Sequence, residues 1–259
     1  MTRPGVLLAA ALLAAWPAGQ VARAATDGFA PPAVEFSFDG PFGRIDRAAA
    51  IRGFEVYRNV CATCHGLRFM AWRNLGDLGF TEDDIRRMAS ETLVTDGPDD
   101  MGEMFERPGR PSDPLITEPF ANANAAAAAN NGVAPPDLSL KVLERGAPYV
   151  YAILIGYEDP PDGVDPGSSY YNPYFPGSVI AMPKPLWGED VTYADGTEAT
   201  IEQEAHDVTT FLAWAADPTA DERKRMGLRV LIFLVVMTGV FYATYRRTWV
   251  PVKRGDDDL

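Results

Sequence analysis

Cys61-Ala62-Thr63-Cys64-His65 is the stretch on which the reading of this chain turns. Two thiols three residues apart, with an imidazole directly after them, form the attachment signature of a c-type haem. Each thiol adds to one vinyl group of the same porphyrin, and the adjacent histidine lies under the iron as proximal ligand. Other uses of the motif fit the rest of the sequence badly. A structural zinc site needs four ligands, whereas the chain holds 2 cysteines and 2 histidines in all, the second histidine being His206. A thioredoxin-like pair belongs in a βαβ pattern, and the flanking sequence shows none.

With both cysteines assigned to one covalent haem, no disulfide remains, so cysteine usage does not report the redox compartment. At 259 residues the chain has room for one large domain or two small ones, and 47% apolar with 23% charged residues is a globular composition. The 22 prolines and 23 glycines point to a loop-rich body. Residues 25–220 carry 31 acidic and 13 basic side chains, about −18 in net charge. Such a field repels nucleic acid and steers cationic partners, here a soluble basic electron carrier.

Residues 1–24 read as an export signal: Arg3, an apolar stretch from Val6 to Trp16, and the small-x-small site Ala22-Arg23-Ala24. Few Arg and Ser argue against a mitochondrial presequence, so bacterial export is expected. A second apolar run, 230–245, has no polar face and is bracketed by Arg229 and Arg246. A span over 228–247 works if those arginines snorkel and Tyr242 and Trp249 sit at interfaces. The expected layout is a haem domain over 25–220, an anchor over 221–247 and a tail over 248–259. Both ends of the anchor are basic, so orientation rests on the signal: haem domain in the periplasm, tail in the cytoplasm, single pass through the bacterial inner membrane.

Periodicity predicts helices over 45–60, 81–90, 138–145, 149–156 and 202–216. Thr81 is the expected N-cap of the second, and 121–130 reads as a short alanine-rich surface helix ended by Asn131-Gly132. The stretches 96–114 and 160–187 are expected to be irregular, and 193–200 to form a small hairpin around Asp195-Gly196. Gly53 interrupts the first helix, which makes sense if another helix crosses closely. Gly53 and Phe54 are expected to pack against the helix carrying Phe211 and Trp214.

The sixth iron ligand has several candidates. Met70 is too near His65 in the chain to cross to the opposite haem face, and Met226 and Met237 belong to the anchor. Met88 reads as core and His206 as a surface residue. Met101 and Met104, in the acidic stretch, stay open on sequence alone. Met182 is favoured, because Pro183 and Pro185 stiffen the backbone around it and over a hundred residues separate it from His65. Arg145 is the candidate for a haem propionate, with an ordinary helix C-terminal arginine as the alternative.

At this point longer strings show a resemblance. Residues 52–57 (RGFEVY), Asn130-Asn131-Gly132, Pro135-Pro136-Asp137-Leu138-Ser139, the 170–177 string YYNPYFPG, Ala181-Met182-Pro183, 207–214 (DVTTFLAW) and 223–228 (RKRMGL) are similar to cytochrome c1. That family supplies the haem subunit of the quinol–cytochrome c reductase, the cytochrome bc complex. The resemblance implies a mainly α, class I cytochrome c fold with large loop insertions plus one C-terminal transmembrane helix. It implies His65 and Met182 as axial ligands, Arg145 at a propionate, and Pro135, Pro136 and Tyr171 in the haem pocket. It further implies single-electron relay from a Rieske iron–sulfur protein to a soluble cationic cytochrome c. Cytochrome b and the bilayer are the other implied partners, and the chain would have no substrate-transforming site of its own. Some bacterial relatives carry an extra cysteine pair that this chain lacks.

Overall fold

The computed structural model of the chain describes residues 29–116 and 119–254, so the signal read at 1–24 and the end of the expected tail lie outside the described residues. Helix α1, Arg47–Asn59, delivers the chain into the cysteine motif. Asp46 starts it, its carboxylate accepting from the Ala48 and Ala49 amides that have no partner within the helix. The 3₁₀ turn Cys61–Thr63 follows directly, and a longer 3₁₀ stretch occupies Trp72–Leu78. Helix α2, Glu82–Ser90, begins at Thr81 as expected, with the Thr81 hydroxyl accepting from the Asp84 amide.

The core is the crossing of α1 with α6, Ile201–Ala216. A Cβ on Gly53 would lie 1.9 Å from the Asp207 carbonyl oxygen and 2.8 Å from the Phe211 Cβ, so only glycine lets the helices meet here. Phe54 and Tyr57 each stand 5.6 Å from the Phe211 ring, and Phe211 stands 5.7 Å from Trp214. This is the packing predicted for the pair. Burying each large apolar side chain contributes about 1.5–3 kcal/mol. Beside the aromatic seam, the Arg52 guanidinium clamps the buried Asp207 carboxylate through two bonds, 2.7 and 3.0 Å, and reaches Asp195 at 2.9 Å.

Several expectations need correction. The acidic stretch from 96 is not all loop. β1, Leu93–Asp96, pairs antiparallel with β2, Phe105–Pro108. Arg107 of β2 binds both Asp96 and Asp113 and ties the hairpin to the chain beyond it. The helix expected from 138 begins later, as α4, Lys141–Arg145. Asp137 and Ser139 instead accept from the Arg68 and Phe69 amides, so that turn is held by the stretch after the cysteine motif. Between 193 and 200 there is no strand, only a turn closed from Gly196 N–H to Tyr193 O at 3.1 Å, with Asp195 drawn to Arg52. The irregular 160–187 stretch contains a small pair, β3 Tyr170–Tyr171 with β4 Val179–Ile180.

Helix α3, Ala123–Ala129, ends in the Asn131-Gly132 turn as read, and α5 spans Ala147–Ile155. Helix α7 runs unbroken over Ala220–Arg254, past the expected end of the anchor. Its central apolar residues are exposed, and it is the one described helix long and apolar enough to cross a membrane. The mainly α architecture with a C-terminal helix of spanning length matches the sequence reading.

Candidate functional site

Backbone bonds from Cys64 N–H and His65 N–H both end on the Cys61 carbonyl, at 3.1 and 2.9 Å. In a 3₁₀ turn, residues i and i+3 eclipse, which places the two cysteine side chains on one side of the turn. Both cysteines are free of disulfide. Burial, then the neighbouring Cys64, pushes the Cys61 thiol up to about 12, far from the thiolate needed for disulfide exchange.

His65 is held by one bond to its ring and one to its backbone. Its Nδ1 lies 2.7 Å from the Pro136 carbonyl, and the Tyr57 hydroxyl donates to the His65 carbonyl at 3.0 Å. A carbonyl only accepts, so Nδ1 carries the proton and Nε2 presents its lone pair. This is the arrangement a metal-ligating histidine requires. Burial lowers the imidazole pKa, opposed in part by the bond to Pro136, and so favours the neutral, ligating form.

The segment from 131 to 136 joins this histidine to the favoured methionine. At its far end the Asn131 side-chain amide donates to the Ala181 carbonyl at 3.0 Å, and the Tyr157 hydroxyl donates to the Met182 carbonyl at 3.0 Å. Asn131 adopts φ 50° and Gly132 φ 82°, a left-handed pair that turns the chain there. Met182 lies two residues beyond the end of β4, and β4 pairs Val179 with Tyr171, so Met182 leaves the hairpin to which Tyr171 belongs. Asn172, fully buried, anchors that hairpin to α5 by donating to the Ile153 carbonyl at 2.8 Å. The Tyr174 ring occupies the space where a Cβ on Gly156 would stand, at 2.4 Å.

Pro135, Tyr171 and Met182 are half-buried, and Pro136 is exposed. Arg145 is at the end of α4, 3.4 Å from Glu144 Oε1 and over the Tyr149 ring at 5.4 Å. It has the surroundings of a helix C-terminal arginine, and no described contact ties it to His65 or Met182. Met101 and Met104 lie exposed in the β1–β2 connection. His206 is not a plain surface residue, since its ring stacks on Phe36 at 4.9 Å.

These residues fit a haem. The two thiols share one side of a turn, a neutral imidazole offers Nε2, and Val133, Leu140 and Leu143 present exposed apolar side chains around the Pro135-Pro136 segment. Sequence reasoning missed Tyr57, Asn131 and Tyr157 as supports of the two candidate ligands. On sequence Tyr57 is only one residue of the RGFEVY string in the first helix, and nothing near Tyr157 marks a partner 25 residues away.

Fold and site together define a class: a mainly helical protein with a Cys-x-x-Cys-His turn on its core helix and one C-terminal helix of membrane-spanning length. The chain belongs to the cytochrome c1 family, whose family model matches residues 36–252. It is 45% identical over 255 residues to cytochrome c1 of Rhodospirillum rubrum, covering 91% of this chain and 93% of that protein. It is 47% identical over 234 residues to the Saccharomyces cerevisiae protein named "Cytochrome c1, heme protein, mitochondrial", covering 89% of this chain and 75% of that one. The similarity to "Cytochrome b/c1" of Bradyrhizobium diazoefficiens is 46% over 255 residues, and there the chain spans only 37% of the longer protein.

Proposed function

We propose that this chain holds one covalently bound haem c and relays single electrons within a quinol–cytochrome c reductase. The observation that carries this reading is the Cys61–His65 turn with His65 Nδ1 bonded to Pro136, in a chain of the cytochrome c1 family. Cys61 and Cys64 would form the thioethers, His65 Nε2 and the Met182 thioether would be the axial ligands, and Arg145 would face a propionate. Bound in this way, the haem supplies a reversible one-electron couple, held at high potential by a methionine ligand. The residues of the chain do the rest. The Pro136 carbonyl holds the imidazole proton at Nδ1, Asn131 and Tyr157 hold the Ala181 and Met182 carbonyls, and Pro135, Pro136 and Tyr171 would line the pocket.

The donor in this reading is a Rieske iron–sulfur subunit, the companion is cytochrome b, and the acceptor is a soluble cationic cytochrome c. The structure bears on which acidic cluster would receive that acceptor. Glu82, Asp83 and Asp84 are paired with Arg86 and Arg87 on the same helix, which cancels much of their field. In the run Asp96, Asp99, Asp100, Glu103 and Glu106, around the β1–β2 connection, Asp96 is paired with Arg107 and the other four have no ion pair among the described residues. The second cluster is therefore the better docking surface. α7 would anchor the chain in the bacterial inner membrane with its haem domain in the periplasm, an orientation that rests on the sequence of residues 1–24.

One experiment tests the core of this. Haem should stay with the polypeptide on a denaturing gel and leave it in Cys61→Ala/Cys64→Ala. In Met182→Leu it should remain attached, while the potential falls sharply and the methionine–iron absorption band disappears. Haem that migrates away from the wild-type chain, or an unchanged band in Met182→Leu, refutes the assignment.

A further inference from the structure

The first turns of α7 are tied to the start of the described chain. Lys224 Nζ donates to the Phe38 carbonyl at 2.6 Å and to the Gly43 carbonyl at 3.0 Å. The Ile45 amide donates to Asp221 Oδ1, one turn earlier on α7, at 3.2 Å. The turn between those carbonyls, Asp39-Gly40-Pro41-Phe42, is exposed, and Phe42 is 76% exposed. Phe36 and Phe38, by contrast, stack on each other at 5.0 Å. A phenyl ring displayed on a turn clamped at both ends has a place to go.

We propose that Phe42 is an interfacial membrane anchor, held by the Lys224 clasp so that its ring enters the headgroup layer beside α7. The proposal rests on the reading of α7 as a membrane span and deepens it. Leu228 and Val230, where the apolar surface begins, lie only about 6 and 9 Å along the helix from Lys224. The headgroup layer is itself roughly 5–8 Å thick on each side of the hydrocarbon. The clasped turn therefore stands at the level of that layer, where aromatic rings are favoured. The surrounding charge agrees. Exposed Arg44, Arg47, Arg223, Arg225 and Arg229 outnumber exposed Asp39, Asp46 and Glu222 along these stretches, a local basic excess in an otherwise acidic domain, suited to lipid phosphates. The outcome is a second point of attachment, which restrains how the domain leans over the bilayer.

The test uses the full-chain holoprotein in phosphatidylcholine–phosphatidylglycerol nanodiscs. Its two native thiols are consumed by the haem on the proposed reading, and unlabelled wild type checks that. Spin labels are placed singly at Phe42→Cys, at Val236→Cys in α7 and at Asp100→Cys as the aqueous reference, and collision with oxygen and with a water-soluble nickel chelate is measured. The Phe42 label should show a several-fold higher oxygen-to-nickel ratio than Asp100, and a lower one than Val236. Adding Lys224→Met should return the Phe42 label toward the aqueous value and leave Val236 unchanged. A Phe42 label as wet as Asp100 beside a deep Val236 overturns the proposal while the anchor stands. A wet Val236 overturns the anchor and the proposal with it. In the complex purified with its companion subunits, a Phe42 label reached by neither probe means that a protein surface covers the turn, which also overturns it. An unchanged Phe42 signature in Lys224→Met removes the clasp.

Discussion

The two sides of the candidate site are built differently. His65 follows α1, and α1 is locked to α6 by Gly53, by the Phe54–Phe211–Trp214 seam and by the Arg52–Asp207 pair. Met182 lies in a strap from 157 to 187 that has only two short strands. Leu186 and Ile180 are buried and the Tyr174 ring packs on Gly156, but the bonds nearest Met182 are single polar ones from Tyr157, Asn131 and Asn172. Packing spreads a perturbation over many contacts, whereas a point bond fails alone. The histidine side should therefore respond to mutation through global stability, and the methionine side through local loosening.

The largest effect is expected from Arg52→Met, which leaves Asp207 fully buried without its bidentate partner. Burial pushes the Asp207 carboxyl up, while His206, Arg52 and Gln203 together hold it below its ordinary value. Breaking a buried pair costs about 3–5 kcal/mol, here nearer the lower figure because Gln203 still donates at 3.0 Å. At about 2–4 °C per kcal/mol, calorimetry should show Tm lower by roughly 6–12 °C. Gly53→Ala comes next. Its Cβ must push the helices apart at a cost of about 1–3 kcal/mol, and both it and Arg52→Met should lower Tm before they change the methionine–iron band.

Glu204 sits at the joint between the two regions. Its buried Oε1 accepts from the Asp190 and Val191 amides, 2.9 and 3.3 Å, just beyond the strap, and its buried Oε2 has no hydrogen-bond partner among the described residues. Burial first, and then the Asp190 carboxylate, raise its pKa to about 7 from an ordinary 4.5. The folded state thus holds a proton that the unfolded chain releases. Stability should be highest below about pH 4.5 for this group and should decline as pH rises to about 7, then level off. Denaturant titration across that window should show the decline in wild type and none from this source in Glu204→Gln.

The smallest effect sharpens the contrast most. Tyr157→Phe removes one hydroxyl bond to the Met182 carbonyl, about 1 kcal/mol. Global Tm should shift by no more than about 4 °C. The methionine–iron band should nevertheless be lost well below the unfolding transition, a separation that neither Arg52→Met nor Gly53→Ala should produce. Coincident loss of band and fold would show that the strap is not an independent weak point.

Much of this was legible in the sequence because it is local. The haem signature, the Thr81 cap, the Asn131-Gly132 stop, the helical stripe meeting Phe211 and the apolar run of α7 each follow from neighbouring side chains and backbone preferences. Gly53 even announced a close crossing, since a glycine in mid-helix is costly unless something needs the space. What the sequence alone did not determine depends on partners distant along the chain. The β1–β2 hairpin was hidden by its Pro, Gly and acidic composition and exists through Arg107 gripping Asp96 and Asp113. Asp195 looked like the centre of a hairpin until Arg52, 143 residues away in sequence, drew it in. The supports of His65 and Met182, and the clasp of Lys224 on the Phe38 and Gly43 carbonyls, were likewise decided by tertiary structure. A backbone carbonyl has the same chemistry at every position, so only the fold can choose which ones a side chain meets.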